Sequence, residues 1–387
     1  MKIALAQINP IIGDLSGNKE KILSFMDQAR MQNAELLIFP ELALTGWPPK
    51  DLLLRKEFIQ ASEEALKDIL PYTSGIGVLL GTLSSDSDTG KLYNSAITIE
   101  DGKIIGRVHK TKLQNRYIFD ETNYFTPAQE NTPIKDNLLL FRGLKLMITI
   151  GEKCNEIDEL DNNSNDRYTF DSSTYANSTN DNTGVLVNIS ATPYQYQGLE
   201  NRQKALSNTA AKYGIPLLAV SQVGANDELI FDGSSMVFDK VGNLICHGKA
   251  FEEQLIYYDT QESYPTTELP REDISWVYQA LILGLRDYFS KNGFQKMLLG
   301  LSGGVDSALV ACLAVEALGR ENVLGVSMPS RYSPGHSRDD AKQLADNLEI
   351  EYRVLPIEEL FASYIKLMNG KEEVVRDLAE ENIQARV

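Results

Sequence analysis

The stretch of this 387-residue chain that most limits its possible folds is LLGLSGGVDSALVACLAVEAL, Leu298 to Leu318. An apolar run from Met297 to Leu301 reads as a buried strand, and it stops at Ser302-Gly303-Gly304. After Val305-Asp306-Ser307, the apolar residues Leu309, Leu313 and Leu318 recur at helical spacing. Strand, glycine turn and helix in direct succession commit this region to a layered α/β fold. They also make an anion site. The N–H groups of the turn and of the first helical turn lack helical partners, and the helix dipole favours negative charge there. Glycine lets a phosphate come close to the backbone, and Ser302 and Ser307 add hydroxyl donors. No lysine follows the glycines, so the string is not a Walker-type loop. Asp306 would repel a bare phosphate, so it is expected to brace the loop or to face a metal ion.

The string SGGVDS resembles the pyrophosphate-binding loop of the ATP pyrophosphatase family. The resemblance implies attack on ATP at the α-phosphate, adenylation of a carbonyl or carboxylate, and release of pyrophosphate. It assigns Ser302, Gly303, Gly304, Val305, Asp306 and Ser307 to ATP, with Asp306 facing Mg²⁺. The loop does not choose among the branches of the family, which include NAD synthetases, GMP synthetase, asparagine synthetase and tRNA-modifying enzymes.

Charge and length narrow the field. The chain is long enough for two domains, each with its own core. The formal net charge is −17, which opposes binding to nucleic acid or to anionic membranes. Cys154, Cys246 and Cys312 are scattered and give neither a disulfide framework nor zinc spacing, and His109, His247 and His336 form no ligand pattern. The N-terminal apolar run is too short for a signal peptide, and no run reaches membrane-spanning length, so the expected compartment is the cytoplasm.

Strands and helices alternate from the start. Lys2–Gln7, Glu35–Phe39, Ile76–Leu83, Ser95–Glu100, Lys103–His109, Leu144–Ile150, Gly184–Ile189, Leu217–Val223 and Ser234–Asp239 read as strands, Asn18–Gln32 and Leu199–Tyr213 as helices. Asp101-Gly102 is a hairpin signal. Between Asn155 and Thr183 the pattern collapses into an Asn/Asp/Ser/Thr-rich, low-complexity insert (155–183), expected to be mobile. The stretch 260–273 reads as a linker between domains at 1–259 and 274–387, and Ile274–Asn292 as an amphipathic helix through Val277, Leu281, Leu285 and Phe289.

Three segments of the first domain put chemistry at strand ends: FPELALTGWPPKDLL with Glu41, HKTKLQNRYIFDETNYF with Lys110, and LKLMITIGEKCNE. In this order they resemble the nitrilase superfamily, whose glutaminase members take Glu, Lys and Cys from three such strand ends. The resemblance covers about Met1 to Asp259 and implies an α-β-β-α sandwich. Glu41 would be the general base, and Lys110 would stabilise a tetrahedral oxyanion. The physical logic stands independently: a thiol needs a base, and acyl transfer needs fixed positive charge near the developing oxyanion. The nucleophile is the departure from the pattern. The aligned string is Ile150-Gly151-Glu152-Lys153, with Gly151 in the nucleophile's place and Lys153 where the family has Asp. Cys154 lies three residues on, roughly 10 Å along an extended chain, and is a weak substitute.

A nitrilase-like domain followed by an SGGxDS domain is similar to the glutamine-dependent NAD synthetases. The resemblance implies an incomplete Rossmann-like ATP pyrophosphatase domain with a parallel sheet as the second domain. It implies Mg–ATP adenylation of nicotinic acid adenine dinucleotide, then displacement of AMP by ammonia drawn from glutamine or, with no nucleophile at Gly151, taken up free. VSMPSRYSPGHSRDDAKQLADNLEI would bring Arg331 near the nucleotide, and EENIQARV would bring Asn382 and Arg386 to ATP. The chain is expected to be shortened at its C-terminus relative to the family, to leave an apolar sheet face uncovered and to self-associate. The alternative class is a non-catalytic remnant that binds nucleotide or related subunits only.

Overall fold

The computed structural model describes residues 1–86, 88–116, 119–128, 138–151, 184–330 and 335–369. Cys154, the 155–183 insert, Arg331, Asn382 and Arg386 lie outside the described residues. The chain divides into two units, Met1–Ala280 and Leu281–Val387.

In the first unit the order is β1 (Lys2–Gln7), α1 (Leu15–Met31), β2 (Leu36–Ile38), α2 (Lys56–Ile69), β3 (Gly77–Ser85), β4 (Leu92–Glu100) and β5 (Lys103–His109). Two short strands follow, β6 (Asn115–Arg116) and β7 (Phe119–Asp120), then β8 (Leu138–Phe141), β9 (Leu144–Ile150), β10 (Gly184–Ser190), α3 (Leu199–Tyr213) and β11 (Leu217–Ser221). The last strands are β12 (Val223–Asn226), β13 (Leu229–Asp232), β14 (Met236–Phe238), β15 (Leu244–His247) and β16 (Gln254–Asp259). Local chemistry starts and stops these elements. The Asp14 side chain accepts the Gly17 N–H at 2.9 Å and caps α1. Asp101 and Gly102 both have positive φ, 44° and 76°, as a tight turn between β4 and β5 requires.

The strands form two six-stranded sheets, β16-β1-β2-β3-β4-β5 and β15-β14-β11-β10-β9-β8. Three apolar layers hold them. On the outer face of the first sheet, Ile22 and Met26 of α1 and Leu66 and Ile69 of α2 pack with Val78, Leu80 and Ile97. Between the sheets, Leu5, Ile38 and Leu79 share a core with Ile148, Val187 and Val220. On the outer face of the second sheet, Leu206, Ala210 and Tyr213 of α3 pack with Leu186, Leu217 and Phe238. The order is α-β-β-α, as expected. Strand β10 is buried from end to end because it has a neighbouring layer on both faces.

The segment 260–273, read from sequence as a linker, packs on this first unit. Tyr264 lies against the intersheet core and Leu269 against the outer one. Glu272 Oε2 accepts the Leu199 N–H at 3.1 Å, at the start of α3. Trp276, in the first turn of α4 (Ile274–Lys291), is 7% exposed within that outer core. The division between the units falls inside α4.

The second unit continues with β17 (Met297–Gly300), α5 (Val305–Leu318), β18 (Val323–Ser327), α6 (Gly335–Leu348), β19 (Glu351–Val354) and α7 (Glu358–Asn369). The three strands are parallel in the order β17-β18-β19. Leu299, Leu301 and Val323 share a core with Ala311 and Ala314 of α5 and Ala341 and Ala345 of α6. Among the described residues, no helix is long and apolar enough to cross a membrane.

Candidate functional site

In the first unit the chemistry collects at the C-terminal ends of strands. Glu41 lies just past β2, Lys110 directly after β5, and Gly151 directly after β9. The side chains of Glu41 and Lys110 are each 2% exposed and paired, Lys110 Nζ to Glu41 Oε1 at 2.7 Å. Two further residues, which the sequence reading did not single out, complete the group. Glu121 is fully buried and holds Lys110 Nζ at 2.8 Å through Oε2, and its Oε2 accepts the Gln114 N–H at 2.8 Å. Asn94, on β4, donates from Nδ2 to Glu41 Oε1 at 2.7 Å and to Glu121 Oε1 at 3.3 Å. The Ala191 N–H, at the end of β10, donates to Glu41 Oε2 at 3.2 Å. The only sequence signal for Glu121 was a carboxylate set among Phe119, Tyr124 and Phe125, where a solvated charge would be unusual.

Burial and charge work against each other here. Burial alone would pull the Lys110 ammonium down, but Glu41 and Glu121, by charge and hydrogen bond, outweigh it and hold the amine above the ordinary lysine value. Lys110 is therefore a fixed cation. Burial pushes Glu121 up; Lys110 opposes the rise and Glu41 adds to it.

Gly151 faces this group. Its φ is +78°, and a Cβ placed on it would stand 2.8 Å from both Cε and Nζ of Lys110 and 3.7 Å from Glu41 Oε2. Its backbone is fixed: Gly151 N–H donates to Ile189 O at 2.8 Å, and Asn188 Nδ2 donates to Gly151 O at 2.9 Å. A side chain at this position would meet the acid and the amine together, and this chain has none to offer.

In the second unit, Ser302 to Ser307 follow β17 and open α5. Ser302 Oγ lies 3.1 Å from Ser307 Oγ and accepts the Gly304 N–H at 3.2 Å, while Ser307 Oγ donates to Gly304 O at 3.0 Å. Gly304 is the N-cap of α5, and Val305 and Asp306 stand exposed in its first turn. The turn thus lies at a helix N-terminus, with Ser302 and Gly304 exposed and Gly303 and Ser307 half-buried. Asp306 offers one exposed carboxylate, and among the described residues no group of three or more His, Cys, Asp or Glu could hold a metal ion.

Comparison with known proteins decides between the branches left open by the loop. The carbon-nitrogen hydrolase family model matches residues 2–266, and the NAD synthase model matches residues 277–387. The glutamine-dependent NAD(+) synthetase of Synechocystis sp. is 39% identical over 409 residues, covering 100% of this chain and 70% of the relative. This chain belongs to the glutamine-dependent NAD(+) synthetases. The corresponding enzyme of Thermotoga maritima is 35% identical over 431 residues, again with 100% and 70% covered. The solved glutamine-dependent NAD+ synthetase of Acinetobacter baumannii, in complex with ADP, superposes with a TM-score of 0.82 at 31% identity and covers 100% of this chain and 70% of that one. An amidase of the nitrilase superfamily from Nesterenkonia, at 21% identity and a TM-score of 0.54 over 66% of this chain and 89% of its own, shares the fold of the first unit. Membership makes the chain a ligase of a family that uses ATP.

Proposed function

We propose that this chain makes NAD by amidating nicotinic acid adenine dinucleotide, with ammonia rather than glutamine as its nitrogen source. The observation that carries this reading is Gly151. A Cβ built there would lie 2.8 Å from Lys110 Nζ and 3.7 Å from Glu41 Oε2, within the reach that a nucleophile served by these two groups would need. Glu41 could take a thiol proton and Lys110 could steady an oxyanion, and Gly151 itself carries no thiol to attack the glutamine amide. Solved amidases with the fold of the first unit are described with an active-site cysteine, and at the end of β9 this chain has Gly151.

The second unit supplies a turn at a helix N-terminus that its own step could use. The carboxylate of the acid dinucleotide attacks the α-phosphorus of ATP, forming a C–O–P linkage and releasing pyrophosphate. Ammonia then adds to the acyl carbon, AMP leaves with the C–O bond pair, and the surplus proton goes to solvent. A free carboxylate is a poor acyl donor, and the adenylate supplies the leaving group. Ser302, Gly303, Gly304, Val305 and Ser307 would cradle the pyrophosphate portion, with the N-terminal dipole of α5 behind it. Asp306 would hold Mg²⁺ brought by ATP. Arg331, Asn382 and Arg386 are proposed on the nucleotide from the family pattern alone. The 1–259 and 274–387 assignment to amidohydrolase and ligase chemistry, an intracellular site of action and self-association belong to the same reading.

The test is NAD formation by the full chain from Mg–ATP and the acid dinucleotide, with ammonium chloride or glutamine as the alternative nitrogen donor. Turnover with ammonium and background with glutamine is the expected result. Equal turnover with glutamine would overturn the ammonia reading. Silence with both donors, with ATP still bound, would favour a binding-only chain.

A further inference from the structure

The two glycines of the 302–304 turn stand in different surroundings. Gly304 is exposed and extended, with φ −88°, and a Cβ there would meet only Ser302 Oγ, at 3.3 Å. Gly303 has φ +80°, and a Cβ there would stand 2.2 Å from the Ser337 carbonyl oxygen and 2.8 Å from its carbonyl carbon and Cα. Those atoms are backbone in the first turn of α6, so they cannot swing aside as a side-chain tip does. Further along, α5 and α6 share a core through Ala311, Ala314, Ala341 and Ala345, residues small enough to let two helices approach closely.

We propose that Gly303 is a positioning residue that seats the first turn of α6 on the turn that opens α5. Strands β17 and β18 are parallel neighbours, so α5 and α6 both begin at the C-terminal edge of the sheet. The first turn of a helix presents N–H groups that have no partner within the helix, and a positive dipole end. Contact at Gly303 sets the spacing between the two starts, and that spacing is what a polyphosphate bridging them would read. The two glycines then have separate duties: Gly304 leaves room for a phosphate to approach the backbone, and Gly303 leaves room for a helix. The inference rests on the ATP reading above for its consequence, though the seat itself does not.

Three variants of the full chain separate the duties: Gly303→Ala, Gly303→Asn and Gly304→Ala. Two quantities are read, amide hydrogen exchange in the first turn of α6 without nucleotide, and affinity for Mg–ATP. Asparagine tolerates a left-handed backbone but keeps a Cβ, so it distinguishes a need for positive φ from a need for space. Both Gly303 variants should speed exchange at the start of α6 and weaken ATP binding by about tenfold or more, since misplacement by 1 Å is enough for such losses. Gly304→Ala should weaken ATP binding with exchange in α6 at the wild-type rate. Restoration by asparagine, normal α6 exchange in Gly303→Ala, or equal disturbance of α6 by Gly304→Ala would each overturn the proposal. Should the Gly303 variants fail to fold, the wild type decides: ATP that slows exchange at 302–307 and leaves the start of α6 unchanged overturns it. A wild-type chain that binds no ATP overturns the nucleotide reading, while α6 exchange in the variants still tests the seat.

Discussion

Lys110 joins two buried carboxylates, and removing it leaves Glu41 and Glu121 facing each other with no cation between them. An uncompensated buried charge is far more costly than the pair is stabilising, and breaking such a pair costs about 3–5 kcal/mol. Lys110→Met should therefore lower the unfolding free energy of the first unit by an amount in that range, measured by urea titration at pH 7. A loss below about 1 kcal/mol, the size of a surface pair, would mean the group is wetter than its burial implies. Gly151→Cys tests the adjacent position. Its Cβ must displace the tip of Lys110 from 2.8 Å, which a flexible side chain can do, although positive φ adds strain. The new thiol should react with a glutamine-mimicking electrophile, slower when Glu41 is also changed to Gln, while the wild type gives no adduct protected by glutamine. A wild-type adduct at Cys154 in competition with glutamine would move the nucleophile to Cys154. The neighbouring His109 gives a pH test. Burial, with Arg107 adding, holds its imidazole below the usual histidine value. Between that lowered value and about 6.5 the unfolded chain binds the extra proton and the folded chain does not. Stability from this residue is thus fully present above about pH 6.5 and is lost as pH falls toward the folded value. His109→Gln should flatten the difference in urea midpoint between pH 7 and pH 5, and an unchanged difference would refute the assignment.

Among the elements, the long periodic ones follow from sequence. Helix α1 runs Leu15–Met31 against an expected Asn18–Gln32, and β1 and β9 have the expected bounds, Lys2–Gln7 and Leu144–Ile150. The breaks did not show in advance. The run Leu217–Val223 reads as one strand, but β11 stops at Ser221 and β12 starts at Val223. At this point the chain changes partners: Gln222 N–H donates to Ser190 O, and Val223 N–H to Ile8 O. An apolar run carries no record of which strand supplies its hydrogen bonds. The 260–273 stretch is a similar case, because its proline and polar content hides Tyr264 and Leu269, which tie it down together with Trp276 just beyond it. Trp276→Ala should cost the first unit about 3–5 kcal/mol, as for other large buried aromatics. Calorimetry of the full chain would detect this as a lowered first-unit transition. An unmoved first-unit transition would place the tryptophan outside that cooperative unit.

For the whole molecule, charge and apolar exposure oppose each other. The formal charge of −17 keeps copies apart. The second unit nevertheless exposes Leu298, Leu309 and Val354, at 66%, 57% and 50%. Apolar groups left in water favour association once salt screens the charge. Sedimentation of the 43.1 kDa chain should show a concentration-dependent larger species that increases with salt, and Leu298→Glu with Leu309→Glu should reduce it. A monomer at all salt concentrations would count against self-association.

Local physics is what the sequence determined by itself. Apolar run, Ser-Gly-Gly turn and helical spacing put a glycine turn at the start of α5, and strand ends placed Glu41 and Lys110 at the rim of one sheet and Gly151 at the rim of the other. Backbone propensity, caps and turns act over a few residues, so a few residues suffice to read them. The tertiary structure decided the rest. It brought Asn94 and Glu121 onto the same lysine, set Lys110 Nζ beside the bare Cα of Gly151, and laid Ser337 on Gly303. These contacts join residues far apart along the chain. Their distances depend on strand register and on how layers and helices stack, which no local window of sequence encodes.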